Sequence, residues 1–518
     1  MPHTPLAVFL RRAAQEALAS GSGMAGAQPG PSRPLSRRGF LSSTAAATAT
    51  VPLLRAAGAK ASTARVASVG AGLAGLTCAH RLRQAGVTAT VFEAGERIGG
   101  RCWTIRGEFA GGQIAEHGGE LIDQGHTRVR QLAQELGLPL DNLLAAEVNG
   151  TEPFFHFDGS YYAYADAVDD LKRIWQPLHR DLSEAGYPTL FDRYTARGQQ
   201  LDRMSISDWI NTTVPGGVTS PLGRLLDVAY TIEYGAECSR QSALNLIYLL
   251  GYNSPGQFAL FGASNEKYHV RGGNDLIVRG LAAAVGNQVR TGTALTAVRQ
   301  LSAGGVRLTL QDGARSTEAT FDRVVFALPF SILRSSVDLA AAGFSERKLT
   351  AIRQLGMGSN SKLNLQFNAR PWVTAGCNGE SYSDLGYQLT WEVTRGQPGA
   401  GGILVNYTGG AAADGFSSGT PATLTRRFLS QSAPVLPGLR PSWNGLSTVD
   451  CWASNPWSLG SYAYFQPGQY TLFAGIEGRA EGAAHFCGEH TSRDAQGYLE
   501  GAVETGERAA AEVVAAIG

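Results

Sequence analysis

The sequence predicts an α/β fold in which two domains share one chain and the first of them is assembled from distant segments. Three features of the 518 residues support this prediction: a glycine-rich turn near residue 70, a buried apolar strand at Asp322–Pro329, and an amphipathic helix at the end of the chain. Long stretches of sequence separate these features. They must therefore supply a second domain between the parts of the first.

The glycine-rich turn lies in the context that a dinucleotide-binding fingerprint requires. Val66–Val69 is short, apolar and β-branched, which predicts a buried strand, and Leu73–Gln84 has helical spacing. Val87–Phe92 predicts a second strand, and Glu93 follows it directly. The order of strand, glycine turn, helix, strand and acid therefore predicts a Rossmann-like unit.

Each residue of the G-x-G-x-x-G motif has an expected role. Gly70 permits the tight turn, Gly72 lets backbone N–H groups approach a pyrophosphate, and Gly75 lets the helix pack closely on the strand. Ala74 lies in the first turn of that helix, whose N-terminus attracts phosphate charge. Glu93 is expected to accept hydrogen bonds from a ribose diol. A glycine-rich turn without a ligand is the alternative, since 65 of the residues are Gly.

Composition argues against several classes of protein. A net charge of +1 with 17% charged residues gives no dominant basic patch, so nucleic acid is not an expected partner. The six cysteines form no C-x-x-C pair and the nine histidines are dispersed without ligand spacing, so no metal site is predicted. One or two disulfides are left open. No apolar run is long enough for a stable membrane span.

The first 61 residues are predicted to lie outside the fold, as a disordered leader followed by an export signal. "SRRGFL" (Ser36–Leu41) precedes an apolar stretch of small residues, and Ala57–Ala61 offers a cleavage site. This arrangement resembles a twin-arginine signal, in which Arg37 and Arg38 would be read by the Tat export machinery. The expected location is periplasmic or extracellular. The alternative is an Ala-rich tail with a chance arginine pair.

A second glycine pair follows the ribose acid in "ERIGGRCWT", where Gly99, Gly100 and Arg101 would place further N–H groups and a cation near the phosphates. From this point the sequence resembles the flavin amine oxidase family, which includes monoamine, polyamine and L-amino-acid oxidases. Further motifs continue the resemblance to the C-terminus: "AEHGGELID" (Ala115–Asp123), "FALPFSIL" (Phe326–Leu333), "MGSNSKLNLQF" (Met357–Phe367), "WSLGSYAYFQPG" (Trp457–Gly468) and "FCGEHTSRDAQGYLEGAVETGERAA" (Phe486–Ala510).

The resemblance implies an FAD-binding domain and an α+β substrate-binding domain. Segments 64–125, 268–335 and 445–518 are expected to form the FAD-binding domain. Segments 126–267 and 336–444 are expected to form the substrate-binding domain, the first mostly helical and the second containing strands such as "KLNLQF" and "GILVNY".

The resemblance also implies which residues carry the chemistry. Lys362 matches the family's lysine, which holds a water near flavin N5; the alternative is a solvated residue on the polar face of an alternating strand. Tyr462 and Tyr498 match the two aromatic residues that flank the substrate nitrogen, where paired rings would align the amine. Ordinary core packing is the alternative for both tyrosines. Trp452 and Trp457 are expected to wall the same region, on the cofactor and substrate sides respectively.

Three positions concern the cofactor. Ser461 matches the cysteine that monoamine oxidases join to the flavin, and a serine cannot form that thioether, so FAD is expected to bind non-covalently. Glu489 matches the family's acid near the ribityl chain and pyrophosphate, with a helix-capping acid as the alternative. Leu295, in "GTALTAV", is expected to contact adenine through its backbone.

Substrate class rests on fewer residues. L-amino-acid oxidases generally place an arginine opposite the substrate α-carboxylate, in the stretch that here reads "GGELID" (Gly118–Asp123). This stretch carries Glu120 and Asp123 and no arginine. Carboxylates there favour an amine, diamine or polyamine over an amino acid. Arg271, or an arginine of the helical segment, is the alternative partner for a substrate carboxylate. O2 or another electron acceptor, and the formation of a homodimer, are left open.

The predicted activity is therefore FAD-dependent oxidation of an amine CH–NH bond to an imine. An L-amino-acid oxidase or dehydrogenase giving a 2-oxo acid is the first alternative. A redox-inactive FAD-binding protein is the second, and the joint presence of Lys362, Tyr462 and Tyr498 argues against it. An NAD-dependent dehydrogenase would carry no C-terminal flavin motif.

Overall fold

A computed structural model describes residues 62–251 and 266–518 of the chain. The predicted leader, with Arg37 and Arg38, lies outside the described residues. Within the described ranges, no helix combines the length and apolar character that crossing a membrane requires.

A five-stranded parallel sheet forms the centre of the first domain. Its strands come from three distant parts of the chain, which confirms that the domain is discontinuous. In spatial order the strands are Ala484–Phe486, Arg323–Phe326, Val66–Val69, Ala89–Phe92 and Val289–Arg290. Val66–Val69 lies between its neighbours in parallel register and is buried along its whole length, as the apolar pattern predicts.

Two helices pack against each other beside this sheet. The helix Leu73–Gln84 has the predicted bounds, and Leu499–Ile517 is the predicted C-terminal helix. They approach closely because Gly506 faces the first helix: a Cβ at this position would lie 2.4 Å from the Ala74 carbonyl oxygen. The helix that follows the glycine turn and the last helix of the chain are therefore packed together.

A four-stranded sheet and three short strand pairs complete the framework around the parallel sheet. The four strands are, in spatial order, Arg315–Phe321, Val306–Asp312, Thr293–Gln300 and Asp338–Ala341. The short pairs are Thr104–Ile105 with Ala115–Glu116, Leu140–Asn142 with Tyr268–Val270, and Gly356–Met357 with Ala463–Tyr464.

A seven-stranded sheet forms the substrate side of the molecule. Its strands are, in spatial order, Trp443–Cys451, Asn360–Phe367, Gly402–Gly409, Gln388–Glu392, Cys377–Ser383, Glu152–Phe157 and Ser160–Tyr162. The strand Trp443–Cys451 pairs with Asn360–Phe367, so this sheet continues past the predicted boundary at residue 445. Asn360–Phe367 is buried on both faces, and its alternating polar residues therefore point into protein and not into solvent.

Helices cover the seven-stranded sheet and fill much of the first inserted segment, as predicted. The remaining helices are Thr127–Glu135, Tyr164–Ala185, Ala196–Arg203, Ile206–Thr213, Pro221–Tyr234, Ala243–Leu250, Asp275–Val285, Phe330–Ser336, Glu346–Gln354, Pro371–Thr374, Ala411–Asp414, Pro421–Gln431, Leu439–Ser442 and Gln469–Phe473. The largest apolar core among the described residues lies between the helices of the first inserted segment and the seven-stranded sheet, and includes Trp209, Tyr230 and Tyr382.

Candidate active site

One long cleft runs between the parallel sheet and the seven-stranded sheet. Most of the residues predicted to bind cofactor or substrate line it: Gly70, Gly72, Ala74, Glu93, Gly99, Gly100, Arg101, Glu120, Lys362, Trp452, Trp457, Ser461, Tyr462, Glu489 and Tyr498. Distant motifs of the sequence therefore meet around a single space. Gly75, Asp123 and Leu295 are the predicted site residues that do not line it.

The glycine turn forms one end of the cleft. Gly70 has a φ of 104°, in the left-handed region that favours glycine. A Cβ at Gly75 would lie 2.0 Å from the Gly70 carbonyl oxygen, so this glycine shapes the turn from outside the cleft. A Cβ at Gly72 would meet no protein atom within 4 Å. The turn therefore leaves open space above Gly72, where a phosphate could approach the backbone.

Glu93 is fixed beside this turn by backbone hydrogen bonds. Its Oε2 accepts the N–H of Ala71 (2.8 Å) and its Oε1 accepts the N–H of Gly95 (2.9 Å). Burial raises the pKa of Glu93, although these hydrogen bonds oppose the shift. Each oxygen keeps a lone pair for a ribose hydroxyl.

Trp457 lines the cleft at the end that holds Glu93, so its predicted place beside the substrate stays a prediction. The indole Nε1 lies 3.3 Å from the position that a Cβ on Gly95 would take, next to Glu93. The side chain is 52% exposed, unlike a wall of a buried reaction cavity. Trp452 is buried instead, and its Nε1 donates to the His117 carbonyl oxygen (2.9 Å).

An ion pair joins the second glycine pair to the C-terminal motif. Arg101 Nη1 lies 2.7 Å from Glu489 Oε1 and also donates to the Ser461 carbonyl oxygen (2.6 Å). Glu489 Oε2 accepts the N–H of Gly497 (2.8 Å). The cation of Arg101 is therefore neutralised by protein, and Glu489 fixes the loop that precedes the last helix.

Lys362 lies in the middle of the cleft and is 4% exposed, so it is not a solvated strand residue. Its Nζ donates to Glu120 Oε2 (2.8 Å) and to the carbonyl oxygens of Gly118 (2.9 Å) and Glu116 (3.2 Å). These contacts occupy all three N–H donors of the ammonium group. A water held by Lys362 would have to share or displace the longest of them.

Glu120 is the counter-ion of Lys362, and each of its two oxygens already accepts a hydrogen bond. Its second oxygen, Oε1, accepts the indole N–H of Trp391 (2.9 Å). Burial alone would raise the pKa of Glu120, but the Lys362 ammonium lowers it below its ordinary value. Glu120 therefore lines the cleft as predicted, with its charge already satisfied.

Aromatic side chains surround this ion pair. Tyr407 lies opposite Lys362 in the antiparallel register, and its hydroxyl is 2.8 Å from the Tyr462 hydroxyl. The rings of Trp391 and Tyr407 meet edge to face, with centroids 5.2 Å apart. Tyr498 precedes the C-terminal helix as its N-cap residue. Burial raises the pKa of Tyr462 well above its ordinary value, so its hydroxyl stays protonated.

Asp123 does not face the cleft, contrary to its predicted role in substrate binding. It is 1% exposed, and its Oδ1 accepts the backbone N–H of Glu266 (2.7 Å). Its own N–H donates to His126 Nδ1 (3.0 Å). Within "GGELID", Glu120 therefore faces the cleft and Asp123 lies behind its wall.

Two further predictions concern side chains outside the cleft. Leu295 pairs with Leu310 in a strand and packs in the core with Phe92, so its contact with adenine stays a prediction. Arg271 is 67% exposed in its side chain and pairs with Asp141 (2.7 Å), on the surface. The arginines that line the cleft are Arg97 and Arg101, and Arg97 donates to the carbonyl oxygens of Ile98 and Gly100 at the glycine turn.

Among the cleft residues that sequence reasoning missed, four have charged or large aromatic side chains: Arg97, Glu266, Trp391 and Tyr407. Arg97 belongs to the motif "ERIGGRCWT", where its positive charge, like that of Arg101, could have indicated a place near the phosphates. Tyr407 ends "GILVNY", but nothing in that strand shows that it lies beside Lys362. Glu266 and Trp391 belong to no recognisable motif.

All six cysteines lie in the described ranges, and each is a free thiol. The disulfides that the sequence left open therefore do not form. Cys102 is the one cysteine among the residues lining the cleft, and burial raises the pKa of its thiol well above the ordinary value.

Solved structures share this fold. Cyclohexylamine oxidase from Brevibacterium oxydans superposes with a TM-score of 0.75 at 22% sequence identity, covering 88% of this chain and 99% of its own. Wild-type putrescine oxidase bound to putrescine gives a TM-score of 0.74 at 21% identity, covering 87% and 99%. At these identities the similarity shows the fold alone.

Relatives in sequence cover nearly the same length. YobN of Bacillus subtilis, provisionally named an L-amino-acid oxidase, is 28% identical over 86% of this chain and 93% of its own. Nicotine dehydrogenase of Pseudomonas putida is 26% identical over 92% and 97%, and amine oxidase A of Sus scrofa is 24% identical over 88% and 85%. A sequence model of the flavin containing amine oxidoreductases matches residues 73–514. This match spans most of the chain and both sides of the cleft, so the protein belongs to the flavin-containing amine oxidoreductase family and is an enzyme that uses a flavin.

Proposed function

We propose that this enzyme uses non-covalently bound FAD to oxidise the CH–NH bond of an amine to an imine. Water then converts the imine to an aldehyde and ammonia, or to an aldehyde and a smaller amine. A primary amine, diamine or polyamine is the proposed substrate. The continuous cleft carries the proposal, because it joins the dinucleotide turn at Gly70 to the buried Lys362 and the Tyr407–Tyr462 hydroxyl pair.

The residues at the cofactor end fit an adenine dinucleotide. Gly72 leaves room for a pyrophosphate at the start of a helix. Glu93 has two oriented carboxylate oxygens and lies at the sequence spacing from the glycine turn that is expected for a ribose-binding acid. The cleft continues from Glu93 to Ser461 and Glu489, which line it as well. A dinucleotide that extends along it as FAD is therefore favoured over a mononucleotide.

Non-covalent attachment is supported by the groups near the middle of the cleft. Ser461 Oγ lies 2.6 Å from Asn360 Oδ1 and 2.9 Å from the Gly358 carbonyl oxygen, and its one O–H is shared between these two protein acceptors. A serine has no thiol, and the one lining cysteine, Cys102, has a pKa that disfavours a thiolate.

FAD, when bound, accepts the two electrons and the hydrogen that leave the amine carbon. The protein must supply the rest. Lys362 and Glu120 place a fixed, internally neutral ion pair in the cleft, which orders the surrounding dipoles without attracting bulk ions. The rings of Trp391, Tyr407 and Tyr462 exclude water and orient a neutral amine.

The overall reaction balances with O2 as the acceptor. The amine loses two electrons and two protons to become an imine, and O2 takes up the same electrons and protons to become H2O2. An acceptor other than O2 would leave the first half of the reaction unchanged.

Steady-state kinetics with a panel of monoamines, diamines and L-amino acids test the proposal. We expect H2O2, aldehyde and ammonia in equal amounts from at least one amine. Turnover of L-amino acids alone would establish the 2-oxo acid reaction instead. Bound flavin with no turnover of any amine or amino acid, under air or with an artificial acceptor, would indicate a redox-inactive binding protein.

Export by the twin-arginine route is a further proposal, supported by Arg37 and Arg38 before an apolar stretch. Replacing both arginines by lysine should retain the protein, with its flavin, inside the producing cell. Unchanged recovery outside the cytoplasm would refute this route.

A further inference from the structure

We propose that Glu266 binds a second basic nitrogen of the substrate, so that the preferred substrates are amines with two basic nitrogens joined by an alkyl chain. This inference rests on the proposed amine oxidation and names its substrate class. It assigns to Glu266 the role that the sequence analysis gave to Asp123 and Glu120.

Glu266 is a buried carboxyl group that faces the cleft and has no hydrogen-bond partner within the part of the chain that the structure describes. It is 4% exposed, it lines the same cleft as Lys362, and neither Oε1 nor Oε2 has a hydrogen-bond partner among the described residues. Buried polar atoms in proteins nearly always have partners, because an unpaired one keeps its full desolvation cost. A ligand with N–H donors would satisfy both oxygens.

The backbone of Glu266 is held in an unusual conformation. Its φ of 47° lies in the left-handed region, which residues with a side chain rarely adopt. The hydrogen bond from its N–H to Asp123 Oδ1 (2.7 Å) fixes this conformation, and His126 in turn accepts the N–H of Asp123. Asp123 is therefore a positioning residue that acts through Glu266.

The charges around Glu266 favour a cation. Three acids face it, namely Asp123, Glu233 and Glu380, against one base, Arg395. Arg395 does not line the cleft and is shared with Glu147 (3.8 Å) and Glu380 (4.0 Å). Lys362 is already paired with Glu120. A ligand carboxylate placed near Glu266 would meet net negative charge, whereas an ammonium group would be attracted.

The protonation state of Glu266 is compatible with this role. Burial, reinforced by the neighbouring acids, raises the pKa of Glu266 well above its ordinary value, which favours the neutral form of the acid when no cation is close to it. An approaching ammonium group lowers that pKa, and the pair settles as ammonium and carboxylate. If the amine arrives as ammonium, the acid releases its proton to solvent; if the amine arrives neutral, the acid transfers its proton to it. Glutamine keeps the shape of the side chain but cannot ionise.

The test uses the purified, flavin-loaded enzyme and two matched series: α,ω-diamines of three to eight carbons and the n-alkylamines of the same length. Anaerobic flavin reduction against amine concentration gives a Kd and a limiting rate for each amine. We expect the best diamine to bind ~10-fold to 100-fold more tightly than its matched monoamine, the range that a charge-assisted hydrogen bond supplies. The difference should lie in Kd and not in the limiting rate.

Three variants locate this preference. Glu266→Gln should bring the diamine-to-monoamine ratio of Kd to within about threefold of unity, and Asp123→Asn should reduce the preference in the same direction. Glu266→Asp, which keeps the acid, should retain part of the preference. Glu477→Gln is the matched control: the same substitution at a buried acid that lies outside the cleft lining and is not among the charges facing Glu266 should preserve the preference.

Two results would overturn the inference while leaving amine oxidation intact. One is equal Kd values for the two series in the unmodified enzyme. The other is a diamine preference that Glu266→Gln preserves in a variant with normal flavin content. If Glu266→Gln fails to fold, loss of preference in Asp123→Asn with retained monoamine reduction decides for the inference, and retained preference decides against it. Flavin reduction by no amine of either series would instead refute the proposed function itself.

Discussion

Replacement of Lys362 by methionine separates the structural and chemical roles of the buried ion pair. The substitution removes three hydrogen bonds and leaves Glu120 buried with only the Trp391 N–H for a partner. Breaking one side of a buried ion pair typically costs about 3–5 kcal/mol, because the remaining charge is uncompensated. Protonation of Glu120 limits that cost. We therefore expect a loss of stability of about 3 kcal/mol near neutral pH, less as the pH falls toward 5.

The pH dependence of this stability loss follows from the pKa shift of Glu120. Its pKa is below the ordinary value in the folded enzyme, so its stabilising contribution is present above the ordinary pKa and is lost as the pH falls through the folded one. In Lys362→Met the lowering cause is gone and burial raises the pKa instead. The difference in stability between the two proteins should therefore shrink in acid.

The assay combines chemical unfolding with anaerobic flavin reduction. Lys362→Met should reduce flavin at least ~10-fold more slowly, a barrier increase above about 1.4 kcal/mol. The double variant Lys362→Met/Glu120→Gln should recover most of the stability but little of the rate, since it removes the stranded acid without restoring the cation. Unchanged kinetics at every pH, together with unchanged stability, would refute the reasoning and make Lys362 an ordinary packed residue.

Three further predictions concern the cofactor and the buried acids. Gly72→Ala should fold but bind FAD at least ~10-fold more weakly, because its Cβ enters open space that the cofactor needs. Gly75→Ala should instead unfold more easily, because its Cβ would lie 2.0 Å from the Gly70 carbonyl oxygen. Equal FAD affinity of Gly72→Ala and the unmodified enzyme in a fluorescence titration would contradict the first expectation. Acid precipitation should release intact FAD into the supernatant, and flavin that remains in the proteolysed pellet would show covalent attachment. Burial raises the pKa of Glu380 to about 8, so the folded state of the unmodified enzyme loses stability as the pH rises from about 4.5 through 8. Glu380→Gln lacks this titration, so its free energy of unfolding should rise relative to that of the unmodified enzyme across the same pH range. Free energies of unfolding that change in parallel with pH in the two proteins would count against this prediction.

The sequence contained enough information to predict the cofactor half of the molecule. The glycine turn, the helix Leu73–Gln84 and the strand Val66–Val69 depend on local features: close approach of backbone, apolar periodicity and β-branched side chains. Such features lie within about 30 consecutive residues, which is the length of the βαβ unit that the fingerprint requires. The meeting of Arg101 with Glu489 was also foreseeable, because both belong to motifs that serve one cofactor.

The substrate half was harder to predict because its geometry depends on which way a few side chains turn. In "GGELID", Glu120 points to Lys362 and Asp123 points to the backbone of Glu266, on either side of the bridge between Ile122 and Tyr268. Trp457 lies five residues before Tyr462, yet it contacts the opposite end of the cleft. Glu266 has no motif around it, and its role follows only from burial and missing partners.

The most direct test of the account is a spectral titration of the purified enzyme without oxygen. The protein should be yellow as isolated, and one equivalent of a suitable amine should bleach the flavin absorbance, with one aldehyde formed per flavin reduced. Readmission of air should restore the colour and produce one H2O2. A flavin that no amine bleaches, or a protein that binds no flavin when supplied with FAD, would contradict the account.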